Sequence, residues 1–129
     1  MNPQKREKIM AAMRERNPQR ANRLEPLQHL LPPKPAGAVA LLEAAPTADV
    51  VIAGHTGFDG LDTFGGILRR LEQGAGECRM WFVRIPRADV PAGAVVEWLD
   101  TCWMKLDAEV ASRWVGAGTS AAMGKDENE

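Results

Sequence analysis

The sequence predicts an α/β fold in which a βαβ unit with two parallel strands is flanked by helices. Two apolar runs of strand character, Asp49–Gly54 and Cys78–Ile85, enclose a helix-forming segment from Leu61 to Leu71. A strand, a helix and a second strand in so short a stretch are typical of a right-handed parallel crossover. Capping and proline signals on both sides of the unit indicate the flanking helices.

The first flanking helix is predicted over Asn2–Arg16. Asn2 can cap it and Pro3 suits its first turn, while Ile9, Met10 and Met13 form a short apolar stripe. Residues 1–25 contain seven basic and three acidic side chains. This local surplus is typical either of a solvated helix face or of a face that contacts anionic head groups or phosphates.

A proline-rich connector follows, from Glu25 to Pro35. Its four prolines hold the backbone extended or turning. Because Leu27, Leu30 and Leu31 need burial, we expect a packed connector and not a flexible linker. The next segment, Ala38–Ala45, is compatible with a short helix.

The glycine-rich turn from Gly54 to Gly60 lies between the first strand and the central helix. Its glycines recur at every third residue, which does not match the spacing of nucleotide-binding loops. His55 and Asp59 could form an acid–base pair, yet a lone His with a neighbouring Asp is more often a structural hydrogen bond. We therefore assign no catalytic residue and expect no cofactor.

The longest helix is predicted from Ala92 to about Trp114. Five of its residues recur at the helical i, i+4, i+7 spacing and predict a core-facing side: Val95, Leu99, Cys102, Leu106 and Val110. Trp98 and Trp103 broaden this side. Residues 115–129, which are small and then charged, are predicted to be disordered.

The composition excludes several classes of protein. The chain of 129 residues carries 16 Lys and Arg against 17 Asp and Glu, which argues against a nucleic-acid binder. No apolar stretch is long enough to cross a bilayer, and no secretory signal is recognised. Cys78 and Cys102 form no metal-ligand cluster, so we expect no metal and a reducing cytoplasmic location. The basic surplus of residues 1–25 would allow peripheral contact at the inner face of the cell membrane.

The sequence contains few large apolar residues from which to build a core. Leu, Ile, Val and Phe together account for 27 residues, about a fifth of the chain and close to the level at which independent folding becomes doubtful. A pair of parallel strands also leaves both outer edges unpaired. The chain is therefore expected to be part of a larger domain.

Several segments, in this order, resemble the C-terminal half of the PlsC-type 1-acyl-glycerol-3-phosphate (lysophosphatidic acid) acyltransferase family. Leu30, Leu31 and Pro32 match a Leu-Leu-Pro segment of that family, and Lys34 and Gly37 match its basic residue and glycine with one gap. The other matching segments are Asn2-Pro3-Gln4-Lys5-Arg6, Asn22-Arg23-Leu24, Asp49-Val50-Val51, His55-Thr56-Gly57 and Arg84-Ile85-Pro86. The resemblance spans Asn2 to Trp114.

The resemblance implies an incomplete glycerolipid-acyltransferase-like domain over residues 1–114. In the family, a His-x-x-x-x-Asp motif activates a hydroxyl that attacks an acyl thioester, and the Arg of a Glu-Gly-Thr-Arg motif holds the substrate phosphate. Neither motif occurs here; His55 and Asp59 are separated by three residues and lie at the wrong place in the chain order. The resemblance thus implies a fragment that is inactive alone, from a truncated gene or a late start codon.

The expected partners follow from the same resemblance. In the full enzyme they are acyl-CoA or acyl carrier protein and a lysophospholipid, with Lys5, Arg6 and Lys34 as candidate contacts for the anionic substrate or the membrane surface. Nucleic acid is not expected as a partner. Two alternatives remain: a small non-enzymatic interaction protein that uses its basic first helix or its Trp-bearing last helix, and a hydrolase that uses His55.

Overall fold

The computed structural model describes residues 2–57, 63–74 and 78–123, with side chains up to residue 113. It contains five α-helices, two strands and one turn of 3-10 helix (Arg87–Asp89) in these ranges. The helices are α1 (Pro3–Arg16), α2 (Pro18–Leu24), α3 (Pro35–Ala44), α4 (Phe64–Glu72) and α5 (Val95–Met123), and the strands are β1 (Val50–Thr56) and β2 (Arg79–Ile85).

The predicted first helix is confirmed, and a second helix follows it directly. Asn2 caps α1 by accepting from the backbone N–H groups of Gln4 and Lys5. Asn17 caps the end of α1 and the start of α2. Its backbone N–H donates to Met13 O at 2.7 Å, and its side chain accepts from Arg20 N at 3.1 Å. Because Pro18 occupies the first position of α2, where an N–H has no helical partner, this cap-and-proline pair begins the new helix.

The two strands pair antiparallel, so the predicted parallel βαβ unit is wrong. Val50 lies opposite Ile85, Ile52 opposite Val83 and Gly54 opposite Trp81 in the register. The mixed helix and sheet content agrees with the predicted fold class, whereas the direction of the second strand does not.

The exposure of α4 agrees with the antiparallel return. In a parallel unit the crossover helix packs across the sheet and buries its apolar side chains there. The apolar side chains of α4 are instead uncovered, with Phe64 77% and Leu71 69% exposed. The helix therefore does not act as a crossover, and β2 runs back beside β1.

The core lies among the helices and not on the sheet. Met10, Leu24 and Leu27 are essentially inaccessible to solvent. Leu106 and Val110 of the predicted α5 core face are buried, and the other three residues of that face are half-buried. We call α1, α2, the connector 25–34 and α5 the helical part, and β1, α4 and β2 the sheet part.

The proline-rich connector is packed, as predicted from its leucines. Leu27, Pro32 and Pro33 are buried, and Leu30 and Leu31 are half-buried. At the other end of the chain, α5 continues past Trp114 to Met123. The helix thus enters the segment 115–129 that the sequence predicts to be disordered, and residues 124–129 lie outside the described residues.

Candidate functional site

A buried carboxylate joins α2 to α5. Asp100 of α5 is fully buried and accepts from two arginines of α2. Arg20 reaches its two oxygens at 2.9 to 3.2 Å, and Arg23 reaches Oδ2 at 2.9 Å and 3.2 Å. A buried charge needs such partners, because desolvation would otherwise cost several kcal/mol. The cluster therefore fixes α2 against α5.

A second buried carboxylate, Asp107, holds the connector. It accepts from three successive backbone N–H groups, those of Gln28, His29 and Leu30, at 3.1, 2.8 and 2.8 Å. These amides belong to a turn that no helix or strand satisfies, and buried amides without acceptors are costly. Asp107 thus determines the shape of the connector between α2 and α3.

Two further contacts complete this attachment. Trp103 donates its indole N–H to Leu31 O at 2.9 Å, and Arg20 donates to Pro33 O at 2.9 Å. Asp100, Trp103 and Asp107 share one face of α5, since residues three and four apart on a helix are neighbours. Neither aspartate is predicted as a functional residue from the sequence alone. Two sequence signals could have indicated them. Asp100 and Asp107 are seven residues apart, which places them on one side of a helix, and Arg20 and Arg23 are three residues apart, which places them on one side of another.

Trp81 makes a polar attachment between the sheet and α5. Its indole N–H donates to Glu109 Oε2 at 2.7 Å, and the guanidinium carbon of Arg113 lies 4.1 Å from the ring centroid. The ring lies over Gly54 so closely that a Cβ at residue 54 would overlap it. Gly54 is therefore required by the close approach of an aromatic ring to the strand backbone.

The other side of the sheet has no cover among the described residues. Val51, Met80 and Phe82 point to this side, which we call the outer face, and they are 59%, 57% and 65% exposed. Ala53, His55 and Arg84 share it by register. Clustered exposed apolar side chains of this kind mark surfaces that contact another molecule.

The predicted anionic-substrate residues are separated by the structure. Lys5 is exposed on α1, whereas Arg6 is half-buried and donates to Glu25 O at 2.8 Å. Lys34 is exposed and precedes α3, which packs on α5, while α1 packs on α2. The structure therefore places Arg6 in a structural contact and Lys34 with a different pair of helices from Lys5.

The candidate nucleophiles and bases are also spread out. His55 is exposed on the outer face opposite Met80, and Asp59 lies outside the described residues. The Ser112 hydroxyl donates to Glu109 O within α5. Cys78 is exposed, and burial raises the pKa of the Cys102 thiol. The Cys78 thiol donates to Gly57 O at 3.4 Å. The described groups thus lie on β1, just before β2 and on α5.

Comparison of the chain with models of known protein families, with curated proteins and with solved structures found no match. Among the described residues, no group of three or more His, Cys, Asp and Glu is arranged to hold a metal ion. None of the described helices combines the length and the apolar character that a membrane-spanning helix needs. The candidate functional site that the described residues offer is a surface, the outer face.

Proposed function

We propose that this chain is a non-catalytic, C-terminal part of a PlsC-type acyltransferase domain, whose outer face packs against the part that carries the catalytic motifs. In the combined domain, an acyl group would pass from acyl-CoA or acyl carrier protein to lysophosphatidic acid in phospholipid biosynthesis. The single observation that supports this proposal best is the uncovered apolar outer face of a two-stranded sheet.

Physical chemistry explains why that sheet needs a complement. An isolated pair of strands is marginally stable in water, and three or more strands or a packed face are needed for independent stability. Here α5 covers one face, and each strand keeps an outer edge that no described strand pairs with. A further layer of protein on the outer face would bury Val51, Met80 and Phe82 together.

The segments that resemble the family also occupy ordered positions. Leu30, Leu31 and Pro32 belong to the connector that Asp107 and Trp103 hold against α5. Lys5 and Lys34 remain exposed and are better placed than Arg6 to meet an anionic substrate or membrane surface. The chain alone should have no acyltransferase activity, since it lacks both catalytic motifs.

A two-component assay tests the proposal. The nucleotides upstream of Met1 are translated in the same frame, and any polypeptide with the Glu-Gly-Thr-Arg and His-x-x-x-x-Asp motifs is purified. We expect neither component to transfer acyl groups to lysophosphatidic acid alone and the mixture to do so. Phe82→Asp should abolish association, because a charge would be buried, while Ala40→Asp, on the exposed side of α3, should not.

Two outcomes would contradict the proposal. The first is an upstream sequence without either motif, and the second is a mixture that neither associates nor transfers acyl groups although both components are folded. Equal effects of the two aspartate variants would show that association does not use the outer face.

The second candidate function is a small non-enzymatic interaction protein. The buried network around Asp100 and Asp107 favours it, since this network could stabilise the helical part without any other chain. Trp98 and Trp103 are half-buried and Trp103 is hydrogen-bonded within the chain, so the basic α1 is the better placed of its two proposed surfaces. A sharply cooperative melt of the isolated chain, together with a stable complex that needs no acyltransferase motif, would favour this candidate.

A further inference from the structure

The seven basic side chains of residues 1–25 fall into two groups in the structure. Four arginines find acceptors within the chain itself, on Glu7, Glu25 or Asp100. These four are Arg6, Arg14, Arg20 and Arg23. The other three, which are exposed and meet no partner in the described part of the chain, are Lys5, Lys8 and Arg16. The unpaired positive charge of this region therefore lies on these three side chains.

The three unpaired cations lie on one face of α1. Lys8 follows Lys5 by three residues, and two further steps of four residues lead from Lys8 through Ala12 to Arg16. On a helix with 3.6 residues per turn, these positions fall within about 80° of one another and extend over about 16 Å. We call Lys5, Lys8, Ala12 and Arg16 the basic face.

The opposite side of α1 packs on α2. Met10 is buried on that side, and Arg14 reaches from it to Glu25, the residue that ends α2. Both Met10 and Arg14 lie about 160° around the helix from Ala12. The basic face is therefore turned away from α2, and Ala12 at its centre is exposed. A face in this position is free to lie against an extended surface.

We propose that the basic face of α1 binds the surface of an anionic lipid bilayer. Each Lys or Arg near such a surface strengthens binding about fivefold, because the head groups give the surface a negative potential. The apolar side chain of the face is the small Ala12, so the helix rests on the head groups and does not insert. Duplex DNA fits less well, since a typical binder makes about six to ten phosphate contacts and this chain has a net charge of −1. The proposal rests on neither of the two candidate functions.

Vesicle sedimentation with the wild-type chain tests the requirement for anionic lipid. One vesicle contains phosphatidylcholine alone, and the other contains equal parts of phosphatidylcholine and phosphatidylglycerol. Three cations should give about a hundredfold tighter binding to the anionic vesicle at low salt. This preference should fall as the salt concentration rises, because salt screens exposed charges. Equal binding to both vesicles, or a preference that salt does not change, would overturn the proposal.

A matched pair of double variants tests the position of the contact. Lys8→Gln with Arg16→Gln should weaken binding to the anionic vesicle about 25-fold, because two of the three cations of the face are lost. Arg69→Gln with Lys105→Gln removes two exposed cations elsewhere and should change binding little. Both variants lower the net charge by the same amount, and circular dichroism checks that each is folded. Equal losses would show that binding follows total charge and would overturn the assignment to α1.

An acidic residue beside the basic face allows a test by gain of binding. Glu15 is exposed and follows Lys8 by two turns, so Glu15→Gln should tighten binding to the anionic vesicle about fivefold. Glu43→Gln, on the exposed side of α3, should not. No gain from Glu15→Gln would overturn the placement, and tighter binding to a duplex oligonucleotide than to the anionic vesicle at equal salt would assign the face to nucleic acid instead. These assays need no second polypeptide, so their failure is distinct from a failure of the two-component assay.

Discussion

The helical part and the sheet part of this chain are stabilised in different ways. In the helical part, the buried carboxylates Asp100 and Asp107 accept from arginines and backbone N–H groups of residues 20–30. The largest buried apolar side chains belong to the same part. In the sheet part, the Trp81 ring provides a polar contact to α5, and most of the large exposed hydrophobic residues among the described residues are found there. A region with few buried contacts opens at lower free energy than a packed core. The chain therefore combines a helical part with its own buried hydrogen-bond network and a sheet part suited to a partner.

Asp100→Asn tests the helical side of this comparison and should have the largest effect. The substitution leaves Arg20 and Arg23 without a counter-charge at a fully buried site, and breaking such a cluster costs about 3 kcal/mol. Urea unfolding followed by circular dichroism measures the loss. Glu43→Gln, an exposed carboxylate on α3, is the control and should lie within about 0.5 kcal/mol of wild type. A similarly small loss for Asp100→Asn would mean that the cluster does not hold the helical part.

Gly54→Ala tests the attachment of the sheet. The added methyl group overlaps the ring of Trp81, so the ring must move away from Glu109 and Arg113. We expect a loss of about 2 kcal/mol, as for other overpacked sites, and a red-shifted tryptophan emission. Gly65→Ala is the matched control, because a methyl group there meets no neighbour within 4 Å. If both variants melt alike, Trp81 does not attach the sheet as described.

Phe82→Ser tests whether the outer face contributes to the stability of the isolated chain. The side chain is already 65% exposed, so little apolar area is lost, and the free energy of unfolding should change by no more than about 0.5 kcal/mol. Self-association measured by analytical ultracentrifugation should decrease. A loss well above 1 kcal/mol would show that Phe82 is buried within the chain in solution.

Acid titration of Asp49 should have the smallest effect. Hydrogen bonds from Arg84 and from the backbone of Arg87 lower its pKa in the folded state. Its contribution to stability is therefore complete above the unfolded pKa of about 4 and is lost as the pH falls through the lower, folded value. Asp49→Asn should flatten this part of the stability profile. An equally steep acid profile in the variant would assign the dependence to other carboxylates.

Local signals predicted most of the elements. Asn2 and Pro3 begin α1 as expected, and the alternation of residues 78–85 predicts β2 close to its observed bounds, Arg79–Ile85. The helix α2 was missed although Asn17 and Pro18 give the same cap-and-proline signal, because seven residues contain too few apolar positions to show a period.

The pairing direction and the polar attachment could not be read from local patterns. A strand alternates in the same way whether its neighbour is parallel or antiparallel, so the direction of β2 depends on how α4 packs. Likewise, periodicity places Asp100 and Asp107 on one face of α5 but does not say that arginines and amides from residues 20–30 reach that face. The PlsC-type acyltransferase resemblance, with Lys5, Arg6 and Lys34 as its contacts, stays a prediction.

The bonds between Asp107 and the connector join residues almost eighty positions apart. During synthesis the helical part cannot close until α5 has left the ribosome, long after α1 and α2 are complete. The intervening residues behave as one long loop for this closure, and loop entropy grows only slowly with length. Shortening that loop to a brief glycine–serine bridge should hence leave the helical part able to fold, and should speed its folding, because contacts would become more local.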